Sequence, residues 1–343
     1  MKNMKKLLLA LLVLFSLNEA AMSQEGGVVY YLPRTVIQVE LTVEETNYII
    51  GPYSEYASSL LGLTNYVREN KTETKIIGAD ILTGVEADPD AMFVMAQQDE
   101  KSKEPLPNVI MNEDGIILAV GCDNYPLDLK AAKINYKSDC QAKADDVTFI
   151  DIIENVEDEE GDGPKKKLTK EEKANLAVEQ IRKLRNSYYE IISGFQEVAF
   201  GDATKFMAES LKNLENEYLS LFKGRVVKRI YNKVVYFTPE KSQANANTVI
   251  YGGKSDQVKI VFDSKNAMTN VEPLGDEIMK TPQANKVFYR IPASSNVKIV
   301  YDNKTLTEKR LVINQFGETQ MAPAKNNKLL FNPNTGQIIS NTK

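Results

Sequence analysis

Apolar and polar positions alternate early in the chain. In Val36–Glu44, Ile37, Val39, Leu41 and Val43 are apolar and their neighbours polar, a period of two that predicts a strand with one buried face. Upstream, Val28–Leu32 is apolar and aromatic and stops at Pro33, which cannot donate to a ladder and so predicts a strand end or edge. After Gly51-Pro52, the spacing of Tyr53, Ala57, Leu60 and Leu61 predicts a short helix stopped by Gly62. Lys75–Leu82, Met92–Ala96, Val109–Met111 and Ile116–Val120 read as further strands. The last two flank Asn112-Glu113-Asp114-Gly115, whose Asp-Gly suits a hairpin turn.

The period then changes to that of a helix. Thr169 with Glu172 three residues on forms a capping box, and Ala174, Val178, Ile181, Leu184, Tyr188, Ile191 and Phe195 recur at steps of three and four. A second helix opens at Asp202, carries Met207, Leu211, Leu214, Tyr218, Leu221 and Phe222 on one stripe, and stops at Gly224. From Arg225 the pattern is β again. Val226–Phe237, Val258–Phe262, Val287–Ile291, Val297–Tyr301, Arg310–Asn314, Leu329–Phe331 and Gln337–Ile339 are short runs rich in Val, Ile, Tyr and Phe, separated by turn residues such as Asn332-Pro333-Asn334-Thr335-Gly336. The expected fold class is α+β, mainly β: two antiparallel β-rich modules, each a sandwich or open barrel, with an αα-hairpin between them.

Residues 1–23 read as a secretory signal. Lys2, Lys5 and Lys6 precede the apolar Leu7–Leu17, and Ala21-Met22-Ser23 offers a small-x-small cleavage site. An eleven-residue stretch, apolar but for Ser16, is too short for a bilayer span, which needs about 20 apolar residues. The chain is thus expected in an exported compartment: periplasm, outer-membrane associated or extracellular. The remaining organisation is an N-terminal β-rich module (24–150), a linker (151–167), the helical hairpin (168–223) and a C-terminal β module (224–343).

Charge divides these segments. Residues 24–167 hold 13 basic and 28 acidic groups, residues 168–223 hold 8 and 9, and residues 224–343 hold 18 and 9, giving −15, −1 and +9. Either the acidic and basic modules dock on one another or the charge simply keeps the chain soluble, or the basic C-terminal module meets an anionic partner such as envelope glycan, a lipid head group or an envelope protein. Nucleic acid is disfavoured by export and by the lack of a basic run interleaved with aromatics.

The absence of histidine closes histidine-based triads, cysteine-histidine dyads and imidazole metal sites. No G-x-S-x-G elbow, P-loop or dinucleotide fingerprint is present. Ser220-x-x-Lys223 and Ser295-x-x-Lys298 fit a serine-lysine spelling without its companion motifs. Asp158, Glu160, Asp162 and Gly163 match the start of an EF-hand loop, yet position twelve is Thr169 rather than a bidentate glutamate. The expectation is therefore no metal, no cofactor and no catalytic residue. A paired-carboxylate glycoside hydrolase of envelope glycan is the competing class, because that mechanism needs only two Asp or Glu side chains. Cys122 and Cys140 form a candidate disulfide, with a reactive thiol as the other reading.

Several stretches carry a family resemblance: Val28-Val-Tyr-Tyr-Leu-Pro-Arg-Thr35, Gly51-Pro-Tyr-Ser-Glu-Tyr-Ala57, Glu217-Tyr-Leu-Ser-Leu-Phe-Lys-Gly224, Tyr289-Arg-Ile-Pro-Ala293, Asn314-Gln-Phe-Gly317 and Leu330-Phe-Asn-Pro-Asn-Thr-Gly336. Together they resemble an uncharacterised family of exported Bacteroides-type proteins classed as a domain of unknown function. The resemblance implies an envelope protein and no chemistry. The residues themselves read two ways. Pro33 and Pro292 end strands while tyrosines line half-buried faces, or Tyr30, Tyr31, Arg34, Tyr53, Tyr56 and Arg290 form an aromatic and cationic surface for a ligand or partner.

Overall fold

The computed structural model describes residues 27–96, 106–137, 147–150, 168–193, 203–253, 256–264 and 271–342. The signal segment, Cys140 and the linker with its EF-hand-like residues lie outside the described residues. The fold is mainly β, with 49% strand against 23% helix, and among the described residues no sheet closes into a barrel.

The strands are β1 Gly27–Ile49, β2 Lys71–Ala96, β3 Val109–Met111, β4 Ile117–Val120, β5 Arg225–Phe237, β6 Asn247–Tyr251, β7 Val258–Asp263, β8 Gln283–Ala284, β9 Lys286–Tyr301, β10 Lys304–Pro323, β11 Lys328–Phe331 and β12 Ile338–Thr342. The helices are α1 Ala57–Leu61, α2 Lys170–Ser193, α3 Ala203–Lys223 and α4 Asp276–Lys280. They build three four-stranded sheets in the orders β5-β1-β2-β8, β10-β9-β7-β6 and β12-β11-β4-β3.

Contacts divide the chain into two compact units that cut across its order. The first comprises the described residues of 1–41, 77–139 and 233–343; the second, those of 42–76 and 140–232. This differs from the expected succession of an N-terminal and a C-terminal module. Local periodicity marks strands but not their partners, and the C-terminal β11 pairs with β4, with Leu329 opposite Val120 and Leu330 opposite Ala119. The core of the first unit therefore mixes Tyr30, Phe93, Ile117, Phe288, Leu329 and Phe331. Burying a phenylalanine such as Phe288 fully stabilises by about 1.5–3 kcal/mol.

Local patterns translate well. Ile37, Val39, Leu41 and Val43 are all fully buried along β1. In the β3–β4 hairpin, Asn112 Oδ1 accepts from the backbone N–H of Asp114 (3.0 Å) and of Ile116 (2.9 Å). The capping box forms: Glu172 Oε2 accepts from Thr169 N at 2.7 Å, and Glu172 N donates to Thr169 Oγ1 at 3.3 Å. Gly62 and Gly224 stop their helices with φ of 65° and 75°. In the second unit, α2 and α3 bury Ala174, Ala177, Val178, Ile181, Leu219, Leu221 and Phe222 with Tyr53 and Ala57. Glu215, buried on α3, lies 2.7 Å from Arg185 Nε and 2.8 Å from Lys212 Nζ.

The strands are longer than the pattern suggests. Neither Pro33 nor Pro292 ends one: β1 passes through the first and β9 through the second. Likewise β2 continues through Asp88-Pro89-Asp90, and β10 absorbs the separate run Arg310–Asn314. A proline removes one N–H but leaves its carbonyl, and a locally irregular partner accommodates the loss.

Candidate functional site

The site grows from the way β10 answers Pro292. Ile313 pairs with Ala293 and Glu318 with Ile291, so Asn314, Gln315, Phe316 and Gly317 bulge out opposite a residue with no N–H to offer. Gly317 permits the close return: a Cβ there would sit 1.9 Å from the Ile291 carbonyl oxygen. The bulged residues turn to β1. Thr35 N donates to Gln315 Oε1 at 2.9 Å and Gln315 Nε2 donates to the Thr35 carbonyl at 2.8 Å, so one side-chain amide serves both backbone groups. Asn314 N donates to Thr35 Oγ1 at 3.1 Å, and Asn314 Nδ2 to the Asn334 carbonyl at 2.7 Å.

Arg290, two residues before Pro292, ties the remaining pieces. Its backbone N–H donates to the Gly336 carbonyl at 3.0 Å, Nη1 to the Pro33 carbonyl at 2.8 Å and Nη2 to Asp88 Oδ2 at 3.1 Å. Both members of this ion pair are buried. Burial pulls the Arg290 guanidinium below its ordinary value, and Asp88 works against that fall. Asp88 Oδ1 in turn accepts from Asp90 N at 3.1 Å.

Arg290 and Arg34 line one cavity of about 560 Å3, wholly within the first unit, together with Asp90, Lys241, Asp276 and Glu318. A second cavity of about 380 Å3 shares Asp90, Asp276, Met279, Arg290 and Thr319 with it. Phe93 and Phe288, stacked with ring centroids 4.3 Å apart, line this second cavity. The volumes are those of a small-ligand site. Arg34 donates from Nε (2.8 Å) and Nη2 (2.6 Å) to Glu86 Oε1, and Tyr136 donates to Glu86 Oε2 at 2.9 Å. Lys241 Nζ lies 2.7 Å from each oxygen of Glu318.

The other anticipated residues fall elsewhere. Tyr30 is a core residue, fully buried, whose hydroxyl accepts from Phe288 N at 2.6 Å; burial drives its pKa far upward. Tyr31 is half-buried, and its N–H donates to the Gly115 carbonyl at 2.9 Å. Tyr53 is a core residue of the second unit: its N–H donates to the Leu221 carbonyl at 2.8 Å and its ring lies 5.8 Å from that of Phe222. Tyr56 is half-buried in that same unit. A solvent-facing ligand surface cannot include Tyr30 or Tyr53, because their aromatic bodies are what the two cores are made of.

Of the serine-lysine spellings, Ser220 Oγ donates to the Glu217 carbonyl at 2.6 Å, and Lys298 lies 3.5 Å from Glu308 while Ser295 is buried. Cys122 is half-buried with Sγ 3.7 Å from the Val120 carbonyl oxygen. No cluster that could hold a metal ion occurs among the described residues, and no described helix is long and apolar enough to cross a membrane.

The sequence did not single out Asp88, Asp90, Lys241, Asp276 or Glu318. Asp88-Pro89-Asp90 looks like a turn, and nothing in the order of the chain joins it to Arg290. The resemblance motifs, by contrast, assemble in two groups. The pieces around Pro33, Arg290, Gln315 and Gly336 interlock in the first unit, while Gly51–Ala57 packs on the end of α3 in the second. No curated protein and no solved structure matches the chain. A family model described as Domain of unknown function (DUF4831) matches residues 26–339, almost the whole sequence, and the chain belongs to that family.

Proposed function

We propose that the protein is an exported, non-catalytic binding module of the cell envelope, with its ligand site in the cavity at Arg34, Asp90 and Arg290. The observation that supports binding over catalysis is how the charged groups there are engaged. Asp88 neutralises Arg290, Glu318 holds Lys241, and Glu240 takes part in a capping box with Gln243. Asp90 and Asp276 remain, both exposed. The acid of a glycosidase pair is enclosed by apolar surface that keeps it protonated, and neither of these side chains is so enclosed. Export is supported by the pattern of residues 1–23 and by the resemblance to exported Bacteroides-type proteins.

Native mass spectrometry of the protein purified from its own envelope tests the reading. Thr319, which lines both cavities, is replaced by tryptophan to fill the space, and circular dichroism checks that the fold is kept. A co-purifying molecule present in the wild type and lost in Thr319→Trp is the expected result. Release of reducing sugar from envelope glycan by the pure protein, abolished by Asp90→Asn, would replace the binding module with the hydrolase.

A further inference from the structure

The basic side chains of the larger cavity are held by protein carboxylates, while two of its carboxylates have no partner among the described residues. Lys241 is engaged by Glu318 and Arg34 by Glu86. Arg290 uses Nη1 for Pro33 and Nη2 for Asp88. A guanidinium carries five N–H groups, so with two committed, three are without a protein partner among the described residues. The Arg290 side chain is only 9% exposed and lines both cavities. Nε is not among the buried atoms that lack a partner, so it opens on the cavity space, where the oxygen of a ligand can reach it.

Asp90 and Asp276 also line both cavities, and neither carboxylate has a partner among the described residues. Leu274 and Met279 supply an apolar wall in the larger cavity. A simple anion would satisfy Arg290 and face two carboxylates. A simple cation would satisfy the carboxylates and offer no acceptor to the N–H groups of Arg290 that Asp88 and Pro33 leave over. A sugar would find little to stack on, since none of the residues lining the larger cavity is aromatic and Phe93 and Phe288 of the smaller one are buried in the core.

We propose that the adjoining cavities bind an amino-acid zwitterion, its carboxylate on Arg290, its ammonium on Asp90 and Asp276, and its carbon skeleton along Leu274 and Met279. This rests on the cavity being the binding site. A free amino acid and the end of a short peptide share the chemistry.

Isothermal titration of the purified protein separates these outcomes, using L-alanine, L-lysine, an Ala-Ala dipeptide, n-butylamine, propionate and glucose as probes. A zwitterion is expected to bind at least tenfold tighter than butylamine or propionate, which each carry one of its charges. Asp90→Asn combined with Asp276→Asn, both at exposed positions, is expected to weaken it at least tenfold with unchanged circular dichroism. Tighter binding of the dipeptide identifies a peptide end and tighter binding of the single residues a free amino acid; either supports the proposal. Equal binding of butylamine or propionate, or no binding of any zwitterion, overturns it. Glucose bound in the wild type and lost in Thr319→Trp also overturns it, while leaving the cavity's binding role intact.

Discussion

Arg290 reaches across to Asp88 through 3.1 Å inside the first unit, and its other terminal nitrogen holds the Pro33 carbonyl at 2.8 Å. One side chain thus joins β9 to β1 and to β2, through residues 257 and 202 positions before it along the chain. Removing only one member strands a buried charge, which costs roughly 3–5 kcal/mol. Arg290→Met is expected to lower unfolding free energy by about that amount in urea, and Arg290→Met with Asp88→Asn to recover part of it. A loss in the double variant equal to the sum of the losses in Arg290→Met and Asp88→Asn alone would show that the pair is not coupled.

The bulge gives a sharper steric prediction. Gly317→Ala places a methyl against the Ile291 carbonyl oxygen, and the expected loss is at least about 2 kcal/mol. Gly253→Ala, where a Cβ meets nothing within 4 Å, serves as the comparison and is expected to stay within about 0.5 kcal/mol of wild type.

The helical pair has a pH signature. Burial raises the Glu215 carboxyl, but Lys212 and Arg185 more than offset it and hold it below the ordinary carboxylate range. A depressed carboxyl stabilises the fold above its unfolded value, near pH 4.3, and that contribution disappears as pH falls through the folded value. Glu215→Gln should therefore be less stable at pH 7 and lose less than wild type between about pH 5 and pH 3. Both partner side chains are half exposed, so the difference at neutral pH is expected on the order of 1–2 kcal/mol.

The cap of α2 is tested by Thr169→Ala. Losing the hydroxyl that accepts from Glu172 N should cost about 1 kcal/mol. Because Thr169 belongs to the second unit, hydrogen exchange should quicken at the start of α2 and leave β9 unchanged.

What the sequence disclosed and what it withheld follow one physical division. The buried face of β1, the Asn112 turn, the Thr169 cap and the glycine stops are local, and a few neighbouring residues specify each. Strand pairing is not local. Nothing near Leu329 announces Val120, and nothing near Arg290 announces Asp88. Arg34 and Arg290 were expected to share a surface, and they line one cavity, Arg290 as a buried member. Tyr30 and Tyr53 carry the same aromatic and hydroxyl groups that suit a recognition surface, and only the packing around them distinguishes that role from a core one. The long strands hid behind prolines and an Asp-Pro-Asp because compensation for a missing N–H sits on the partner strand, elsewhere in the sequence.

The pairing of β11 with β4 carries a consequence for the birth of the molecule. Leu329 and Phe331 complete a core whose other members include Tyr30 and Ile117, so nearly the entire chain must emerge before that core can close. The helical pair needs no such wait, since all its partners lie before residue 233. The earlier strands of the first unit therefore stay without their C-terminal core partners while the helices of the second unit can already pack, and a chain interrupted at residue 327 would keep the helical core and lose Leu329 and Phe331 from the other.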